Sequence, residues 1–351
     1  MTLPTAWPPP APRSDLPVLT LLRLPLVWWF VAWQMTQHGL FGVPGGLLLH
    51  VLEKGAVVPD CAFMLSGFLL AHAHPEFAVP GYRQKSVPMT RQAVGRFALH
   101  RLGRLYPLHL VVLGLFAVLA LGGAVRGGAA QWVMQVLFVQ GWGVAGRPGF
   151  DTASWAVSAL WGASLLAPFI IRGTWWLQFD VPTTLPPVFL AIYALALNFE
   201  LFHAPWLFLP RAVLGVAMGV AICRLRDRDF NMLRNIRRPA LWGLWAALAA
   251  SALLGGPWLF LALFPVLMLF LGADYGARPT PAERVGLYLG RTAFAVYLVQ
   301  GLVLAALSGF ALPLPAPLIV LALIAVIQAL ASVLHALVEN PARRLTPPVA
   351  G

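Results

Sequence analysis

Apolar and polar positions along this chain alternate on the scale of a membrane. Ten apolar windows, at about 18–36, 56–74, 105–123, 154–171, 185–199, 211–225, 240–255, 258–273, 286–308 and 315–338, are separated by polar, Pro/Gly-rich or basic stretches. A full crossing takes roughly 17–25 residues, so the pattern predicts an all-α polytopic membrane protein of ten transmembrane helices. Placing both termini on the cytoplasmic side puts the basic clusters at 83–104, 224–238, 278–291 and Arg343-Arg344 inside; Lys54, Arg126, Arg147 and Arg211 fall elsewhere. Residues 131–142 are apolar as well. Counting them as a crossing would carry the 224–238 cluster outside, so they read as a partly inserted or interfacial segment. No internal repeat stands out, which argues against an inverted-repeat transporter.

The first window interrupts its apolar run in a regular way. Arg23 and Gln34 are eleven positions apart, which on a helix returns a side chain to within about 20° of its starting face and roughly 16 Å further along. His38 lies one turn beyond Gln34 on the same face. A polar seam through an apolar helix is the expected form of a buried functional face. Trp33-Gln34-Met35 offers no small-residue cleavage pattern, so this is an uncleaved span and not a signal peptide.

Composition supports the membrane reading. Of 351 residues, 60% are hydrophobic and 10% charged, with mean hydropathy +0.78; soluble domains carry about 25% charged residues. The net charge of +12 does not imply nucleic acid, because the basic residues sit between spans and form no aromatic-interleaved patch. Cys61 and Cys223 lie in or beside apolar spans and suggest no disulfide framework. The domain organisation is a lead at 1–17, one transmembrane domain at 18–341 and a short tail at 342–351.

Asp60 opens the second span, where a carboxylate is costly and faces a cavity or a partner. Ser66-Gly67, further along that span, is a small-residue pair that lets another backbone approach. Arg101 and Arg104, three apart on a helix, have the spacing of a phosphate-gripping fork, or of a basic flank fixing topology. The eight histidines show no metal-ligand spacing, and no nucleotide-binding glycine loop or nucleophile elbow is present.

Six stretches, in order, resemble acyltransferase family 3, a family of integral-membrane acyltransferases. They are Arg23, ten intervening residues and then the Gln34 position, Asp60 before the run Phe63 to Leu70, and Arg101-x-x-Arg104-x-Tyr106-Pro107. Further along come Trp155-Ala156-Val157-Ser158-Ala159-Leu160 with Pro168, Gly290-Arg291-Thr292 with Tyr297-Leu298-Val299-Gln300, and Glu339-Asn340-Pro341. The resemblance implies transfer of an acyl group, often acetyl, from cytoplasmic acyl-CoA to a hydroxyl of a cell-envelope glycan or lipid-linked saccharide, in a bacterial-type inner membrane. It implies a donor site at Arg23, Arg101, Arg104, Tyr106 and Arg291, acceptor contacts at Trp155, Ser158 and Gln300, and no metal. Membrane lipid and other envelope-biosynthesis proteins are the implied partners.

The departures fall on the chemistry. Gln34 stands where the family has its catalytic histidine, Leu160 where it has a glutamate, and Gln300 where it has a second histidine. A glutamine hydrogen-bonds but cannot act as a general base near neutral pH. Two readings stay open. Either catalysis persists with a relocated base, His38 oriented by Asp60 at similar depth, or the chain is a degenerate member that binds or scaffolds within a synthesis or export complex.

Overall fold

The computed structural model describes residues 16–39, 46–78, 89–144, 149–176 (apart from 152), 204–228, 241–251, 257–272, 281–307 and 315–345, with a few single positions besides. Among these residues the chain is helical, with no strand. In order the helices are α1 (Pro17–Gln37), α2 (Leu47–Glu53), α3 (Val58–Ala73), α4 (Arg91–Leu121), α5 (Ala129–Leu137) and α6 (Ser154–Trp176). They continue with α7 (Phe208–Arg228), α8 (Leu241–Ser251), α9 (Pro257–Gly272), α10 (Pro281–Leu307), α11 (Ala316–Leu334) and α12 (Asn340–Leu345). Seven helical stretches are long and apolar enough to cross a membrane, and α8 and α9 are shorter apolar helices. The expected span at 185–199 lies mostly outside the described residues, as do most of the N-terminal lead and the end of the C-terminal tail.

Small residues set the closest contact. Gly67 on α3 lies against α7, where a Cβ would fall 2.1 Å from the Val216 carbonyl oxygen; Gly219 returns the contact, its Cβ falling 1.9 Å from the Met64 oxygen. Gly215 and Gly219 form a small-xxx-small pair that brings the α7 backbone onto α3. In the same way α10 meets α1 at Gly290, where a Cβ would fall 2.3 Å from the Thr20 oxygen.

One boundary differs from the sequence expectation. The basic residues from Arg91 to Arg104 are not a loop but nearly the first half of α4, which runs unbroken from Arg91 to Leu121. Thr90 starts it by accepting the Ala93 N–H at 3.1 Å, the ordinary N-cap bond. A 31-residue helix is roughly 46 Å long, well beyond a hydrocarbon core of about 30 Å, so its basic turns extend past the apolar length.

The apolar segment at 131–142 does not cross. Nine-residue α5 covers only roughly 13 Å and stops at Phe138 in the left-handed region, φ 60°. The chain then folds back on α6, where Ser158 Oγ donates to the Phe138 oxygen at 2.7 Å and accepts the Gly141 N–H at 3.1 Å.

Candidate active site

Helices α1, α3, α4, α6 and α10 and the C-terminal segment enclose a cavity of about 190 Å³. Its basic end is formed by Arg23, Arg101, Arg104 and Arg343, with Glu339 among them. Thus Arg23 and the Arg101–Arg104 pair, singled out in the sequence and far from each other along the chain, meet around one space. Arg101 Nη2 donates to Ser164 Oγ at 3.2 Å, while its buried Nε has no protein partner. From there the lining turns apolar through Leu26, Ala62, Phe63 and Leu160 to Pro59, Ala156 and Tyr297. Between Ser66 and Val58 the cavity follows α3 for roughly 12 Å. Four guanidinium groups and one carboxylate leave the basic end net positive, a setting that favours a phosphate-bearing ligand.

Glu339 and Arg343 were not among the expected site residues; from the sequence Glu339 belongs to a family-like tail motif and Arg343 to a cytoplasmic basic pair. After α11 the chain makes one π-helical stretch, His335–Glu339, a widened turn of a kind frequent at functional sites. Glu339 bridges His335 Nδ1, 2.7 Å away, and the guanidinium of Arg343. The spacing His335-x3-Glu339-x3-Arg343 puts all three on one helix face and is the sequence signal that could have identified them.

Beyond Tyr297 lies a second group of buried polar residues. Arg211 grips Asp60 with Nε to Oδ1 at 3.3 Å and Nη2 to Oδ2 at 2.7 Å, and its guanidinium lies 5.2 Å from the centre of the Trp155 ring. Tyr297 stacks on Phe30 at 4.9 Å and its hydroxyl donates to the Ala153 carbonyl at 2.8 Å. Asp151 Oδ1 accepts the Ala153 and Ser154 N–H groups at 3.2 and 3.3 Å and so caps α6. Burial raises its pKa to about 6. Gln300 is fully buried, and neither amide atom has a partner.

The structure does not bring His38 and Asp60 together. His38 is exposed just past the end of α1, where partial burial lowers its pKa, and Asp60 is fully buried and bound to Arg211. A carboxylate neutralised by a guanidinium cannot orient a distant imidazole, so the relocated pair is corrected on geometry. Trp155 and Ser158 are likewise engaged internally, the first with Arg211 and Phe208 and the second with the backbone of the α5 turn. Tyr106 donates to the Val136 oxygen at 2.6 Å and ties α4 to α5. Neither Tyr106 nor the exposed Arg291 is among the residues lining the cavity, and Gln34 is buried on α1 outside that lining. Leu160, by contrast, does face the cavity.

Asp151 escaped the sequence reading of site residues. An acidic residue just before an apolar helical run is a capping signal, and nothing in the sequence separates that role from chemistry.

Residues 62–336 match the model of acyltransferase family 3, described as an acyltransferase domain. The matched region takes in α4, α6 and α10, while α1 with Arg23 and Gln34 precedes it. Acyltransferase MdmB of Streptomyces mycarofaciens is 26% identical over 378 residues, covering 94% of this chain and 92% of that protein. No solved structure matches. The helical membrane architecture, the matched region and this full-length relative lead to one conclusion: the chain belongs to acyltransferase family 3.

Proposed function

We propose that the protein is an O-acyltransferase that takes an acyl group, acetyl in the first instance, from cytoplasmic acyl-CoA and passes it to a hydroxyl of a cell-envelope glycan or lipid-linked saccharide in a bacterial-type inner membrane. The observation that carries this reading is the convergence of Arg23, Arg101, Arg104 and Arg343 on the mouth of an otherwise apolar cavity. A phosphate-rich headgroup suits the arginines, and the apolar depth suits an extended thioester arm ending at Tyr297. The unpartnered Nε of Arg101 adds a donor that such a headgroup would satisfy.

The test is binding and turnover of labelled acetyl-CoA by the purified full chain in lipid nanodiscs. Arg101→Ala and Arg104→Ala should each weaken CoA binding about tenfold or more, since a charge-assisted hydrogen bond contributes about 1.5–3 kcal/mol. Unchanged affinity in both variants would sink the donor assignment. A second reading, a binding or scaffolding subunit without turnover, draws on Leu160 facing the cavity where a carboxylate would be expected, and on Glu339 being tied to His335 and Arg343. CoA binding with no acyl transfer to any acceptor would select it.

A further inference from the structure

Three carboxylates are buried among the described residues: Asp60, Asp151 and Glu339. Asp60 is held by Arg211, and Glu339 by Arg343 and His335. Asp151 differs, because its hydrogen bonds come from the backbone N–H groups of Ala153 and Ser154 and from the Ser154 side chain, and no arginine or lysine is bonded to it. A carboxylate balanced by a guanidinium is a weak base, whereas one held only by neutral donors can still accept a proton.

Its position is equally specific. The Tyr297 ring lines the far end of the cavity, and its hydroxyl is bonded two residues past Asp151, at Ala153. The α10 backbone is packed directly on Asp151, since a Cβ on Gly301 would lie 3.1 Å from Oδ1. Gln300, the adjacent residue on that turn, is fully buried with both its amide nitrogen and its oxygen unpartnered. A buried amide normally has partners, and an orphaned one on the helical turn that packs against Asp151 points to a ligand with hydroxyl groups that can both donate and accept.

We propose that Asp151 is the proton acceptor in acyl transfer, and that Asp151 and Gln300, buried behind the Tyr297 ring that lines the end of the cavity opposite the arginines, form with Tyr297 an acceptor subsite for a polyhydroxylated molecule. This rests on the acyl-transfer reading above. In the step, the acceptor oxygen attacks the thioester carbonyl carbon and gives its proton to the Asp151 carboxylate. The carbon–sulfur bond breaks, the thiolate leaves, and the proton passes from Asp151 to the sulfur, yielding an ester and free CoA thiol. A pKa near 6 keeps Asp151 ionised at neutral pH and close to the range in which a general base works well. The ionisable groups around this end are Tyr297 on α10, Asp60 on α3 with Arg211 on α7, and His109 on α4, which reaches the Ser154 cap through Gln135 of α5.

The experiment follows CoA-thiol release from acetyl-CoA by the full chain in nanodiscs, with water or glycerol as acceptor, over pH 5 to 8. Asp151→Asn keeps an N-cap oxygen for Ala153 and Ser154, so the melting temperature and CoA binding should hold while release falls about 100-fold or more. Asp151→Glu should restore part of the rate, and wild-type release should rise with pH through about 6 as the base loses its proton. Gln300→Leu should raise the KM for glycerol and leave CoA affinity unchanged. An Asp151→Asn protein that releases thiol at the wild-type rate overturns the assignment and leaves acyl transfer standing. A wild-type protein that binds CoA and releases none overturns both.

Discussion

Arg211→Ala strips the Asp60 carboxylate of a two-bond guanidinium grip while leaving it fully buried between α3 and α7. Breaking one side of a buried ion pair costs about 3–5 kcal/mol, because the remaining charge is uncompensated. The variant should therefore melt far below wild type in detergent, and Asp60→Asn/Arg211→Met should recover most of the loss. A melting temperature unchanged in Arg211→Ala would show that the pair contributes little. The same residue explains one of the four cations that the topology places away from the cytoplasmic side. Arg211 is placed by Asp60, and Lys54, another of the four, donates to the Ser251 carbonyl at 3.2 Å. Asp60 and Arg211 are 151 positions apart, so no local pattern could pair them. The cost of a carboxylate in a membrane does predict that Asp60 has a partner.

At the level of the helices, glycine decides how closely backbones meet. Gly219→Val would push side-chain atoms into the Met64 carbonyl, and overpacking of this kind costs about 1–3 kcal/mol or more. Gly114→Ala on α4 is the control: nothing lies within 4 Å of the added Cβ and the position is exposed, so helix propensity should leave it neutral or stabilised by up to about 1 kcal/mol. Thermal unfolding of the two variants side by side checks both signs. Ser66-Gly67 was legible as a close-approach element. Its counterpart, Gly215-x-x-x-Gly219, carries the same kind of signal, although only the contact identifies which helix it serves.

For the whole molecule, the charge distribution predicts a topology that labelling can read. Cys61 and Cys223 are buried, so the native chain should resist a membrane-impermeant maleimide. His38→Cys, past the end of α1, should then label in intact cells, and Arg96→Cys, in the exposed basic turns of α4, only after permeabilisation. The opposite pattern would invert the protein in the membrane and move the arginine-lined mouth away from a cytoplasmic donor.

Hydropathy and charge bias by themselves determine that this is a helical membrane protein, where most of its spans lie, and that residues 131–142 fold back short of a crossing. Those properties follow from the cost of backbone and charge in hydrocarbon, which is paid locally along the chain. Ordered motifs add the family, and spacing alone marks Arg101 and Arg104 as a fork. Tertiary structure decides which polar residues share a space. It joins Arg23, Arg101 and Arg104 with Glu339 and Arg343 around one cavity, gives Asp60 to Arg211 in place of His38, and commits Ser158 to a turn. It also leaves Asp151, among the described residues, as the buried carboxylate with no cation bonded to it, packed against the α10 turn that carries the orphaned amide of Gln300. Those outcomes depend on long-range packing and on which hydrogen-bond capacity the folded chain has already used.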